Sequence, residues 1–297
     1  SFTNDSGFAL TDGEAIDQYT VNKPEVVQTN YYGSNIYQKS ITIFRDQLDT
    51  AFSGVDQFAE FIGGVTQNIS DQIEQAHENT ARMTVANLVT GIIAAAKANQ
   101  IVHLLTEYNA ATGLELTATT VYTPANFKPF MQWVYSRIAQ VSSMLTERSQ
   151  TYHFNLTGKP IQRHSPYDRQ RLYLYAAGRY QSEAQVLADT YHDNYLRFGE
   201  TETVNFWQSI EKPDQIQAKP CYLKEADGTV ITATQNVTQA NVFAVMMDEE
   251  AAGMNIFNYE LSSTPYNARG RYNNLWWSFN ERYFNDFTEN AVVFLLD

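Results

Sequence analysis

Residues 45–73 read RDQLDTAFSGVDQFAEFIGGVTQNISDQI. Within them Leu48, Phe52, Val55, Phe58, Ile62, Val65, Ile69 and Ile73 recur three or four positions apart, and Gln, Asp and Glu occupy much of the space between. That period belongs to a helix with one narrow apolar stripe. The stripe extends through Met83, Leu88 and Ile92, and Thr80 offers a cap for a second segment should the helix break near Asn79. Gly63-Gly64 sit inside the pattern, where two glycines cost a helix about 1–2 kcal/mol, so a local adjustment or close packing is expected there. A helix this long with a single apolar face reads as a spine that crosses a sheet. Phe58, Ile62, Val65 and Ile69 are expected to meet strands that close the chain, including Leu275, Trp277 and Phe279.

Upstream of the spine, residues 1–23 are polar and rich in turn formers. Residues 24–43 then alternate, with Val27, Thr29 and Tyr31 before Gly33-Ser34 and Ile36, Ile41 and Ile43 after it. This pattern predicts a hairpin with too few apolar residues to fold on its own domain, so residues 1–40 are expected to project onto a neighbouring copy. Downstream, a second helix is expected after Pro124, carrying Phe127, Phe130, Met131, Val134, Ile138, Val141 and Leu145 on one face and stopping near 147–149. Leu172 to Tyr175 read as a short strand. Ser182 reads as the cap of a helix bearing Ala184, Val186, Leu187 and Tyr191. Short strands and loops with an Asp227-Gly228 turn fill 200–240. The last third reads as β: Val242 to Met247, Asn255 to Leu261, a turn over Pro265 to Gly270, a long aromatic strand from Tyr272 to Tyr283, and Asn290 to Leu296. Helices and strands segregate along the chain in the manner of an α+β protein.

Of the 297 residues, 43% are hydrophobic and 18% charged, enough apolar material for a core and too little charge for a disordered chain. The formal net charge of −13 excludes a dedicated nucleic-acid binder, which needs a basic face. The single cysteine, Cys221, excludes an internal disulfide framework, and it reads as a small strand or core residue. The 19 Tyr and 17 Phe suit either a core or protein interfaces. No apolar run reaches the length of a membrane helix.

The motifs of catalysis and cofactor binding are missing from the sequence. It has no Gly-rich phosphate loop, His-Glu-x-x-His, Cys-x-x-Cys or Gly-x-Ser-x-Gly. His77, His103, His153, His164 and His192 do not share metal-ligand spacing. Asp12, Glu14 and Asp17 lack a full calcium-loop pattern, and Asp248-Glu249-Glu250 reads as a solvated turn. The Asn-x-Ser/Thr tripeptides at Asn68, Asn155 and Asn236 read as chance matches. No catalytic, cofactor-binding or metal site is expected. The aromatic run Tyr272-Asn273-Asn274-Leu275-Trp276-Trp277-Ser278-Phe279 reads first as a core strand against the spine, with a sugar-binding or adhesive β module as the alternative.

Three stretches carry a family resemblance. They are Asn35-Ile36-Tyr37-Gln38-Lys39-Ser40-Ile41 running into Asp46 to Phe52 and Phe58 to Phe61; Arg169 to Tyr195; and Asn267-Ala268-Arg269-Gly270-Arg271-Tyr272 with Trp276-Trp277, Arg282-Tyr283 and Asn290 to Phe294. Together they resemble the major capsid proteins of tailed double-stranded DNA phages, of the Hong Kong phage type, and among these the small podophages with protein-primed genomes. The resemblance implies a structural protein and not an enzyme. It implies an extended loop over 1–43, a peripheral domain with its spine helix over 44–150, an axial domain over 151–250, and closing peripheral strands over 251–297. The family's N-terminal arm and first loop limb would lie upstream of Ser1, either absent or cleaved, and the immunoglobulin-like domain that some relatives append is not expected after Asp297. The implied partners are further copies in hexamers and pentamers, portal and scaffold or auxiliary capsid proteins, and packaged DNA lying close by without specific contacts. No membrane is implied. The implied location is the virion capsid, after assembly in the bacterial host cytoplasm.

Overall fold

A computed structural model of the chain describes residues 12–13, 19, 28–31, 33–46, 55–156, 161–185, 200–220, 223–232 and 235–297. The readings placed on Glu14, Asp17, Val27, Leu48, Phe52, Val186, Leu187, Tyr191, His192 and Cys221 lie outside the described residues.

The spine is helix α1, Val55–Ala95, 41 residues without a break. Thr80 does not cap a second segment. Its Oγ1 donates to Ala76 O at 3.0 Å, so the hydroxyl is satisfied inside the helix. Nothing approaches Gly63 or Gly64, whose missing side chains face open space. The adjustment or close packing expected there is not found, and the cooperativity of a long helix carries it across both residues.

Strand β1, Asn35–Phe44, precedes the spine. After it come β2, Ile101–His103, and helix α2, Leu104–Thr112, which the sequence reading missed. Gly113 ends α2 in the left-handed region at φ 71°, its N–H bonded to Asn109 O. Helix α3, Pro124–Leu145, starts on a proline at its first turn and buries all seven residues of its expected stripe. Strand β3, Gln170–Tyr175, leads directly into helix α4, Ala176–Gln185, so Ser182 lies inside the helix and not at its cap. The remaining strands are β4, Glu200–Val204; β5, Ile216–Ala218; β6, Val237–Gln239; β7, Val242–Asp248; β8, Ala252–Ser263; β9, Tyr272–Asn285; and β10, Ala291–Leu295.

Two larger sheets organise these elements. A five-stranded sheet has the order β2-β10-β7-β3-β4, with β2/β10 and β3/β4 parallel and the other pairs antiparallel. Its central strands β7 and β10 are buried throughout, which is why both read as unbroken apolar runs. Alternate residues serve opposite layers. Val292, Phe294, Phe243 and Met246 pack with α2 and α3, while Val293, Leu295, Val245 and Met247 pack with Ala86, Leu88, Val89 and Ile92 of α1. One core thus spans residues from both sides of the expected 150/151 boundary, since Ile138 and Val141 share it with Leu172 and Met246. For the same reason β10, grouped with the closing peripheral strands, belongs to this sheet.

The second sheet, β1-β9-β8, is antiparallel, with long strands and the other end of the spine laid across it. The hairpin expected around Gly33-Ser34 does not form among the described residues. β1 instead runs unbroken along β9, from Asn35 opposite Glu281 to Phe44 opposite Tyr272. Residues 35–40, expected to project onto a neighbour, are therefore hydrogen-bonded to their own chain, because β9 offers β1 a full edge of backbone partners.

Candidate assembly surface and sheet junction

The extended sheet has two unlike faces. On one, Val65, Ile69 and Ile73 of α1 meet Ile41, Leu275, Trp277 and Phe279. The expected contact between spine and closing strands is present, shifted one turn: Ile73 joins it, and Ile62, half-buried, stays outside. Phe279 anchors a row of rings across the strands, stacked with Tyr37 at 5.7 Å and Tyr259 at 6.5 Å. Leu261, paired with Trp277, continues this face beyond the reach of the helix. Tyr259 and Leu261 are each 58% exposed.

The opposite face is mostly polar. Gln38 Nε2 donates to Ser278 Oγ at 3.2 Å, and Thr42 Oγ1 donates to Asn274 Oδ1 at 2.7 Å. The Arg282 guanidinium lies over the Phe257 ring at 5.5 Å and donates from Nε to Gly33 O. Ile36, 71% exposed, sits at the β1 edge of this face. The turn ahead of β9 is held by Asn267, whose Oδ1 accepts from the N–H groups of Arg269 and Gly270. The aromatic run beginning at Tyr272 therefore makes protein contacts. Trp277 and Phe279 are covered by the spine, and Tyr272 packs edge-on against Phe44.

Besides the spine, which links β1 to β2, the chain crosses between the two sheets twice, and both of these crossings pass one point. The chain leaves β7 for β8 through Asp248-Glu249-Glu250-Ala251, and leaves β9 for β10 through 286–290. Asp248 is fully buried, contrary to the expected solvated turn. Burying a carboxylate requires partners. Ser165 Oγ donates to its Oδ2 at 2.6 Å, and Arg169 Nη2 to its Oδ1 at 2.8 Å. Arg169 Nη2 also lies 2.9 Å from Glu250 Oε2. Glu289, only 5% exposed, pairs with Arg163 Nη1 at 2.9 Å. Burial pushes the Glu289 carboxyl up to about 7; Arg163 opposes the rise, and Asp248, Asp286 and Glu250 add to it. Tyr31, hydrogen-bonded to Asp286, rests its ring 4.8 Å from Phe284. Behind the junction, Asn290 Nδ2 donates to Ser165 Oγ, and Asn290 Oδ1 lies 3.2 Å from His153 Nδ1. Burial pushes His153 down, towards its neutral form.

Asp248, Glu250 and Glu289 each bring an oxygen within 4.8 Å of the others. Their cationic partners here are guanidinium groups, Arg169 for the first two and Arg163 for the third. Asp12 lies in a turn, and His77 sits 3.2 Å from Glu281 on the spine-to-sheet contact. His103 pairs with Asp297, and His164 is exposed. No local pattern announces the junction, since Arg163, Arg169, Asp248 and Glu289 come from three separate segments.

The Phi29-like phage major capsid protein family matches this chain over residues 2–295. The chain belongs to that family. It is thus a phage major capsid protein, a structural subunit of a shell, and the sugar-binding or adhesive module is not favoured. Solved structures share the fold at low identity. A chain from the capsid structure of Staphylococcus phage Andhra matches at TM-score 0.59 and 10% identity, over 89% of this chain and 70% of that one. A chain from the structure of head fiber and inner core protein gp22 of native bacteriophage P68 matches at TM-score 0.60 and 10% identity, over 90% and 72%. No curated protein matches the chain. In this capsid protein α1 is the spine helix, and the β1-β9-β8 sheet is its long-stranded companion. Among the described residues no helix is long and apolar enough to cross a membrane.

Proposed function

We propose that copies of this chain close an icosahedral shell through hexamers and pentamers, without catalysing a reaction or holding a cofactor or metal. The observation that carries this is the family match over 2–295. Support comes from the extended sheet, where apolar side chains lie beyond the cover of the spine, an arrangement that favours burial against another copy. In this reading the N-terminal half of the spine and the extended sheet, β1 included, form the peripheral domain, and residues 151–250 supply the axial contacts. The many repeated interfaces are individually weak and collectively strong. The net charge of −13 suits a wall that lies beside DNA without gripping it. Portal, scaffold or auxiliary proteins complete the particle, which assembles in the bacterial host cytoplasm.

The test is electron microscopy of the purified chain beside a Tyr259→Ser, Leu261→Glu double variant. Wild type is expected to form closed shells or capsomers, and the variant to keep its circular dichroism and melting transition while remaining unassembled. Shells of normal number and size from the variant would remove the β8 flank from the interface.

A further inference from the structure

The β7–β8 and β9–β10 crossings between the sheets come together at a cluster with more negative than positive charge. Around Glu289 stand Arg163 and Arg169 from the 161–169 loop, Asp248 from the end of β7, Glu250 from the turn, Asp286 from the β9–β10 connection, and Tyr31 from the N-terminal segment. Glu249 is drawn outward by Arg171 at 3.1 Å. His153 lies behind Asn290, its ring pushed down from its ordinary pKa by burial, and its carbonyl accepts from Lys97. With every carboxyl ionised, Asp248, Glu250, Asp286 and Glu289 face two guanidiniums. These turns are two of the three chain crossings between the extended sheet and the five-stranded sheet, the third being the long span from β1 through α1 to β2.

We propose that this junction is a proton-operated hinge: with Glu289 neutral the two turns lie firmly against each other, and with Glu289 ionised the surplus of carboxylates loosens them and frees the extended sheet to change its angle to the core. The direction follows from the burial of Glu289. Its carboxyl is held in the folded chain near 7, against an ordinary value of 4.5. A carboxyl raised in this way favours the closed junction fully below about 4.5, and that advantage is lost as pH rises towards about 7. Above that pH the contribution is constant.

Hydrogen–deuterium exchange of the full chain between pH 5 and 8, corrected for intrinsic exchange rates, tests this. Opening of segments 248–251 and 286–290 is expected to increase with pH, approaching tenfold per unit below about 7 and levelling off above it. Exchange within the paired strands β8 and β9 is expected to stay constant, because a hinge moves the sheet without melting it. Glu289→Gln should remove the pH-dependent part. Glu250→Gln, at an exposed position, should move the upper end of the rise to more acidic pH. The hinge is overturned if wild type and Glu289→Gln share one profile, or if β8 and β9 open together with the junction. If Glu289→Gln does not fold, an unchanged profile in Glu250→Gln overturns it alone.

Discussion

The five-stranded sheet and the extended sheet are built from similar residues and held in different ways. In the first, both faces of β7 and β10 are covered, so every side chain counts and the strands carry almost no polar residues. In the second, β9 is covered on one face by a single helix, and its other face mixes polar cross-strand pairs of Asn, Ser, Thr and Gln with scattered rings such as Tyr272. The first sheet has both faces of its central strands covered within one chain, and among the described residues its open edges fall on the short strands β2 and β4. The second has few buried residues for its length, and its outer strands β1 and β8 each have one edge without a strand partner among the described residues. An edge of this kind is a liability in an isolated subunit and an asset in one that meets copies of itself. The difference teaches that burial on both faces is concentrated in one sheet, while the other keeps open edges and uncovered apolar side chains, with the spine joined to both.

Breaking the first sheet should have the largest effect. Phe294→Ala removes a fully buried ring from the centre of the core and should cost about 3–5 kcal/mol. That is a large share of a typical domain's stability, and it would show as loss of soluble protein or a large fall in Tm. Ile69→Ala, in the small cluster under the spine, should cost about 2–3 kcal/mol. Its signature should be local: faster amide exchange in β1 and β9 with β7 and β10 unchanged. If both sheets loosen equally, the two are one cooperative unit and the comparison fails.

Gly178→Ala sharpens the first half of the comparison. A Cβ on Gly178 runs into the Phe243 ring, because α4 lies with its backbone directly on the core. Overpacking there should cost about 1–2 kcal/mol by chemical denaturation. The smallest effect is expected from Ile62→Asp. Ile62 lies on the spine but outside the cluster, so the substitution should change stability by no more than about 0.5 kcal/mol. A Tm shift comparable to that of Ile69→Ala would show that the covered face reaches further towards the start of the helix.

The placement of Ile62 shows where sequence periodicity stops being informative. The stripe of α1 runs from Ile62 to Ile73 and resumes from Met83 to Ile92 past the polar stretch 74–82, but periodicity does not say which sheet each turn meets or where the cover ends. Helix α3 was fully legible because one surface receives its whole face. The runs of β7 and β10 were legible because burial on both faces leaves no polar positions. β1 was misread because its partner lies some 240 positions away, while Gly33-Ser34 offered a turn nearby. Asp248 was misread for a related reason: three consecutive acids look solvated, and Arg169 and Ser165, which make burial tolerable, stand about 80 residues upstream.

The spine also sets a mechanical scale. A helix of 41 residues is about 60 Å long at the usual rise. Its C-terminal third is clamped in the core by Leu88, Val89 and Ile92, and its N-terminal half carries the extended sheet through Val65, Ile69 and Ile73. The element acts as a lever arm with its fulcrum in the core. A tilt of about 5° at the clamped end carries the far end, and the strands lying on it, through about 5 Å over that length. Side-chain shifts too small to register as a rearrangement of the core are thus converted into displacements large enough to change which neighbour the far sheet touches.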